Sequence, residues 1–395
     1  MEAADRSMDD LCDALMVEEI LPRLSPKSLI CLGCVSRRYN AMVTDPDFSA
    51  RYWLRAGVFI QPLAHSGREP RPLFLSSSGG VLCSPATSAE SMFGADLAFL
   101  PAPSAREKAY LRPFGASYCI RSTDVVMHSA AGLLLAAWMA LPELPCPPAE
   151  WQSGLLRVDT DGDAAKKPNK FQVLLFNHPF QWRKPGGCFD LRLFSSDTGQ
   201  WKTIQLHPPI HVADGLPDWT PIGQSGRAYC IVRIEFHDHA ILYSSDEHSV
   251  DVIRLPTGIG TSVWKHCCCI GERHGGGLRY ALSNDSVFEV WDLQTKGGDS
   301  MWMLAHRVGI AQLLERNPEV ACGRPLGFHP TDDGVVFLGI PGAVAAYSIQ
   351  NGTMSLHHLT HDCYLRSRDM FPYVHPPYLV QIPAIKNSIL ASHEQ

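Results

Sequence analysis

LCDALMVEEILPRLSPKSLICLGCVSRRYNAMVTDPDFSARYWLR, residues Leu11 to Arg55, is the stretch on which the reading of this chain turns. Its apolar residues recur at helical spacing, and each prospective helix carries its own start signal. Leu15, Glu19, the pair Ile20 and Leu21, and Leu24 place apolar positions three and four apart in a short first helix. Ser25 followed by Pro26 opens a second: the Ser oxygen can cap the first turn, and Pro at the first helical position gives up no needed hydrogen bond. Leu29, Ile30, Leu32 and Val35 supply the apolar face of that helix. Ser36 can cap a third, Arg37 to Val43. Asp45-Pro46 repeats the cap-plus-proline signal for a fourth, Asp47 to Ala56, stopped by Gly57.

A unit of about 45 residues cannot bury much of its apolar surface alone. Some of its dense Leu, Ile, Val, Cys and aromatic side chains must therefore face a partner or the rest of the chain. Periodicity alone is equally compatible with a helical cap on the C-terminal part.

Composition bounds the remainder. A chain of 395 residues suggests two domains, and 45% hydrophobic with 19% charged residues is ordinary for a soluble globular protein. The net charge of -6 argues against a general nucleic-acid binder, which needs a basic surface. Lys166, Lys167 and Lys170 fall in a polar loop with Gly, Asp and Pro, and read as a solvated loop. The N-terminus is acidic and polar, without an apolar core before a small-residue cleavage site. The longest apolar run, Ala130 to Leu141, is too short for a bilayer and suits a buried strand. The expectation is a cytoplasmic and/or nuclear protein without membrane contact, its 13 Cys reduced and mostly buried.

After Gly57 the character changes. Apolar runs of strand length alternate with turn clusters through a region rich in Gly and Pro. Val58-Phe59-Ile60, Leu73 to Leu75, Val125 to Met127, Gly132 to Leu135, Phe171 to Phe176, Leu191 to Phe194, Ala240 to Tyr243, Val250 to Ile253, Val287 to Trp291, Met301 to Met303, Val335 to Leu338 and Ala345 to Ser348 are the strand candidates. Asn351-Gly352 is a hairpin signal. A strand, a turn and then an aromatic residue recur, as at Trp182, Trp201 and Trp302. Such recurrence favours small antiparallel sheets arranged as a β-propeller of about six blades over one large β-sandwich. The fold class is therefore mainly β. Residues 1–10 are expected to form a mobile leader, 11–56 a helical unit and 57–395 an all-β domain.

The order Leu11, Leu15, Glu19-Ile20-Leu21, Leu24-Ser25-Pro26-Lys27-Ser28-Leu29, Cys34-Val35-Ser36-Arg37, Tyr39 and Asp45-Pro46-Asp47-Phe48 resembles the F-box, the adaptor-binding helical motif of cullin-based ubiquitin ligases. Cys12 stands where that family usually has Pro, and Tyr39 where it usually has Trp; neither change alters the helical pattern. Further along, Asn177-His178-Pro179 with Trp182, Phe194 to Gly199 with Trp201, Val290 to Leu293 with Trp302 and His306-Arg307-Val308, and Phe371 to Val374 are similar to the F-box-associated β-propeller of plant F-box proteins. Glu143 to Trp151 and Asp159 to Lys170 match that pattern poorly and look like insertions.

The resemblance implies a substrate receptor. Leu11, Leu15, Ile20, Leu21, Leu24, Pro26, Leu29, Cys34, Val35 and Tyr39 would bind a Skp-type adaptor, which links to cullin and RING subunits. The β domain would hold a target protein. No cofactor or catalytic residue is implied. The alternative is a propeller that binds a small molecule or glycan, or a propeller enzyme, beneath an F-box-like N-terminal cap.

Chemistry-bearing motifs were weighed separately. Cys31-Leu32-Gly33-Cys34 has no second pair at zinc-ribbon spacing and sits in a prospective amphipathic helix, so both thiols read as buried small apolar residues. Cys267-Cys268-Cys269 reads as part of a strand, whose alternating faces keep the three sulfurs from converging on one ion. His237-Asp238-His239 reads as two imidazoles on one side of a strand or equally well as a polar hairpin turn, with no third ligand evident, and Gly275 to Gly277 reads as a turn without a phosphate-binding helix behind it. Elemental analysis of protein purified without an affinity tag is expected to find no stoichiometric zinc. One zinc per chain, lost on replacing Cys267 and Cys269, would overturn the strand reading.

Overall fold

Apolar runs without helical period have only one way to satisfy their backbone amides when buried, and after residue 55 they pair as antiparallel strands. The structure is a computed structural model. It describes residues 11–21, 24, 26–45, 48, 56–60, 73–78, 81–83, 126–130, 133–136, 151–159, 170–177, 189–206, 222–224, 226–234, 237–245, 247–256, 267–274, 276–284, 286–296, 299–317, 323–359, 365 and 370–374.

The strands are β1 (Ala56–Ile60), β2 (Leu73–Ser78), β3 (Val81–Cys83), β4 (Val126–Ala130), β5 (Leu133–Ala136), β6 (Trp151–Asp159), β7 (Lys170–Asn177), β8 (Phe189–Ser195), β9 (Gln200–Leu206), β10 (Ile222–Gln224) and β11 (Arg227–Ile234). They continue as β12 (His237–Ser244), β13 (Ser249–Arg254), β14 (Cys267–Glu272), β15 (Leu278–Ser283), β16 (Val287–Lys296), β17 (Asp299–Gly309), β18 (Arg324–Phe328), β19 (Val335–Ile340), β20 (Ala343–Ser348), β21 (Met354–His358) and β22 (Met370–Val374). Among the described residues they form six sheets: β22-β1-β2-β3, β4-β5, β6 to β9, β10 to β13, β14 to β17 and β18 to β21. The leading strands touch in the cyclic order β22, β4, β6, β10, β14, β18 and back to β22. This is the arrangement of propeller blades around an axis.

The first blade is built from both ends of the β region. β22 pairs antiparallel with β1, Ile60 opposite Met370 and Ala56 opposite Val374. Pro372 can occupy β22 because that strand is the edge of its sheet, where one row of backbone groups has no ladder partner to supply.

Side-chain alternation joins the blades. On β19, Val335 and Phe337 face the core shared with β1, β2 and β22, while Val336, Leu338 and Ile340 face the core shared with β14 to β16. β20 splits likewise: Val344 and Ala346 go one way, Ala343, Ala345 and Tyr347 the other. Both faces are covered, so these strands are continuous apolar runs. The same division recurs on β12, where Ala240 packs toward the fifth blade and Ile241 and Tyr243 toward the third. Blades approach closely where a side chain is missing. A Cβ on Gly271 of β14 would lie 2.9 Å from the Phe328 ring on β18.

Most strand expectations hold. Tyr118 to Ile120, a further apolar run of strand length in the sequence, and Trp182 lie outside the described residues. Asn351-Gly352 closes the β20–β21 hairpin, with Gly352 at φ 66° and its N–H donating to Ser348 O at 2.8 Å. Gly276 and Gly277 also have positive φ, in the β14–β15 turn. Of the two readings of His237-Asp238-His239 the strand holds: it is the start of β12, with Asp238 buried. Trp201 and Trp302 are half-buried. Trp201 lies against Phe194 with ring centroids 5.4 Å apart, and Trp302 donates from Nε1 to Arg254 O of the neighbouring blade at 2.9 Å. A further helix, Ile310–Arg316, follows β17 without having been anticipated; it buries Ile310 and Leu313 against the core of the fifth and sixth blades.

The N-terminal helices are α1 (Asp13–Leu15), which runs into a π-helical turn over Met16–Ile20, α2 (Pro26–Val35) and α3 (Arg37–Val43); the helix after β17 is α4. Pro26 opens α2 and Arg37 opens α3, as expected, but Ser36 makes no side-chain cap. Asp45 accepts from the Phe48 N–H at 3.0 Å, the expected cap of the fourth segment. Gly57 does not stop a helix; it is the second residue of β1, opposite Ser76 and Tyr373.

Leu75 is fully buried in the core that joins the first and sixth blades. Replacing it with Ala should lower stability by about 2–5 kcal/mol, read from the urea midpoint. A change below about 0.5 kcal/mol would contradict its placement in that core.

Candidate functional surfaces

The helical unit has a filled core. Met16, Leu21, Leu29, Tyr39, Met42, Val43 and Phe48 are buried together, with Leu11, Val17, Ile20, Leu24 and Leu32 packed at its margin. Helical geometry puts Leu29 and Leu32 on one side of α2, and Cys31 and Cys34 on the other. Arg38 ties α3 to the chain start: it bonds Leu11 O and reaches Asp13 Oδ1 from Nη2 at 2.7 Å.

The ten residues singled out in the sequence therefore separate into layers. Leu21, Leu29 and Tyr39 form the core and support a surface without lining it. Leu11, Ile20 and Leu24 are half-buried at its margin. Leu15 is 42% exposed and Val35 78% exposed, and Cys34 is exposed beside it. The Pro26 side chain lies outside the described residues. One expectation is corrected: Cys31 and Cys34 are exposed, not buried. Val35, one turn beyond Leu32 at the last residue of α2, is exposed as well.

On the β-propeller, the buried ionisable groups serve contacts between blades. Arg279 of β15, buried, grips Asp292 of β16 through two bonds, Nε to Oδ1 at 2.6 Å and Nη2 to Oδ2 at 3.1 Å. Its Nη1 donates to Asp333 O in the β18–β19 turn at 2.6 Å. Arg273 spans the same gap, reaching Asp333 Oδ2 at 2.9 Å and Asp292 Oδ2 at 3.4 Å. The His274 N–H completes the Asp333 carboxylate at 2.9 Å. This is a clamp between the fifth and sixth blades, with fork-shaped guanidinium groups matched to carboxylates. Tyr229 of β11 donates to Glu272 of β14 at 2.7 Å and so joins the fourth and fifth blades; burial, with the Glu272 charge, raises its pKa.

Other titratable groups are similarly engaged. His306 Nε2 lies 2.9 Å from the Tyr347 hydroxyl, and burial lowers its pKa. Cys268 and Cys269 face opposite cores, as alternation requires. Among the described residues no three His, Cys, Asp or Glu side chains converge on a common point for a metal ion. Also among them, no helix is long and apolar enough to cross a membrane. Exposed apolar side chains gather on β17, the edge strand of the fifth blade: Met301, Met303 and Leu304.

The clamp makes a pH-dependent contribution. Burial opposes ionisation of Asp333, but the His274 N–H and the Arg273 and Arg279 guanidinium groups outweigh it, so its pKa lies below the ordinary carboxylate value. A depressed folded pKa means stability that is full above the unfolded value and lost as pH falls through the folded one. Asp333→Asn should therefore lower stability at neutral pH and flatten the acid limb of the stability profile. An acid limb identical to that of the parent chain would contradict the clamp.

Comparison with known proteins places the chain. The family described as "F-box protein At3g26010-like, beta-propeller" matches residues 121–375, more than half of the chain. The chain is also similar to "F-box protein At5g03970" of Arabidopsis thaliana, 33% identical over 135 residues that span 32% of this chain and 29% of that protein. A solved structure, the crystal structure of HIRA(644-1017), aligns over 52% of each chain at 13% identity with a TM-score of 0.24, too low to carry an argument. With the propeller topology already drawn from its strands, the chain belongs to the At3g26010-like family of plant F-box proteins with a β-propeller domain.

Proposed function

We propose that this chain is the substrate-recognition subunit of a Skp-cullin-F-box type E3 ubiquitin ligase. The helical unit, residues 11–56, binds a Skp-type adaptor and through it cullin and RING subunits. The β domain, residues 57–395, holds a target protein, and Ala56 opens its first strand. The chain itself transfers nothing. Holding the target beside the charged conjugating enzyme turns a bimolecular transfer into an effectively intramolecular one, and positioning is the whole contribution. The corresponding location is the cytoplasm and/or nucleus.

One observation carries this reading: the helical unit has its core filled while apolar side chains remain outside. Leu21, Leu29 and Tyr39 are used internally, whereas Leu15 and Val35 stand exposed on so small a unit. Apolar surface left outside a completed core supports a docking role, because its burial against a partner is favourable. The family match adds weight, since its description names F-box proteins.

The double variant Leu15→Asp with Val35→Asp should lose co-purification of a Skp-type adaptor while its thermal unfolding stays within a few degrees of the parent's. Both sites are exposed, so the core is spared. Full adaptor binding by the double variant would refute the assignment of this surface.

A further inference from the structure

The exposed pair Cys31 and Cys34 has no part in the core of the helical unit or in the propeller. The two thiols stand three residues apart in α2, on the side away from Leu29 and Leu32. Side chains at this spacing on an α-helix have Cβ atoms about 5–6 Å apart. A disulfide needs about 3.5–4.5 Å, so an ordinary helical turn holds the sulfurs slightly too far apart. The position of the pair removes that obstacle. Val35 is the last residue of α2, and Ser36 is already extended at φ -143° and ψ 131°. Last turns tighten readily into 3₁₀ geometry, which eclipses residues i and i+3. Gly33, between the two thiols, offers the least resistance to that change because a residue without a Cβ has the widest backbone freedom.

We infer that Cys31 and Cys34 form a redox-active dithiol that a low-molecular-weight disulfide of the glutathione type converts to an intrahelical disulfide, tightening the last turn of α2 and shifting the exposed Val35. In the first step one protein thiolate attacks the small disulfide, forms a mixed disulfide and expels one small thiolate. In the second, the other protein thiolate attacks the mixed disulfide at the protein sulfur and expels the second. Two protein thiols are oxidised, one small disulfide is reduced to two thiols, and the two protons pass to those products. This chemistry concerns α2 alone and holds whatever the helical unit docks against.

The full chain, incubated across a series of reduced to oxidised glutathione ratios, is quenched in acid, alkylated and digested for mass spectrometry. Oxidising ratios should yield a peptide containing Cys31 and Cys34 that is two hydrogens lighter and unalkylated, restored by dithiothreitol. Under the same treatment Cys34→Ser should leave Cys31 as a glutathione adduct with no bridge. Amide exchange at Val35 and Ser36 should change severalfold on oxidation of the parent chain and not at all in the Ser variant. Alkylation of both thiols at every ratio, separate glutathione adducts without a bridge, or a bridge to Cys12 would overturn the pairing. A bridge with unchanged exchange would overturn the tightening of α2.

Discussion

The pairing of β22 with β1 is the constraint on which this structure depends. Four-stranded sheets with two apolar faces are not stable by themselves, and among the described residues shared cores join the third blade to the fourth, the fourth to the fifth, the fifth to the sixth and the sixth to the first. A row of blades would still leave two apolar ends. Setting Met370 opposite Ile60 makes one blade from the two ends of the β region, so the last core is shared with the first. Bringing such distant residues together costs entropy, but that cost grows only slowly with loop length. Val58, Ile60, Leu75, Val335, Phe337 and Met370, all buried in the joint core, supply the compensation. The clasp also governs the helical unit. Phe48 belongs to the helical core and Ala56 already to β1, so these two Cα atoms lie within about 29 Å of one another whatever path joins them.

Polar groups inside the β region reinforce this plan. Arg279 and Asp292 are buried as a matched fork, and Asp333 extends the contact into the neighbouring blade through both its backbone oxygen and its carboxylate. A buried charge without such partners would cost several kcal/mol. The pairs are better understood as setting which blade faces which than as a large net source of stability. The ionisable groups of the clamp are thus committed to structure.

Much of the fold was legible in the sequence, for physical reasons. Val335 to Leu338 and Ala345 to Ser348 are buried on both faces, so they are unbroken apolar runs, and Asn351-Gly352 marks the turn from β20 to β21. Pro26 revealed where α2 begins because a residue without an N–H fits at that position. The candidate surface was less legible. Periodicity placed Val35 on the apolar face of α2 without saying whether that face is core or surface, and assigned the Cys31–Cys34 pair to the interior, yet all three are exposed. Hydrophobicity signals a face that avoids water, and it cannot distinguish a core from a docking surface. The local pattern likewise missed α4, whose short run acquires its helical form from packing Ile310 and Leu313 on the blades.

The central claim is that the chain docks to its ligase through the helices and keeps the propeller free for a target. Hydrogen exchange of the full chain with and without a purified Skp-type adaptor tests it most directly. The account predicts protection confined to residues around Leu15 and Val35, with the strands from β1 to β22 exchanging as in the free chain. Protection centred on the propeller, or none anywhere at saturating adaptor, would contradict it.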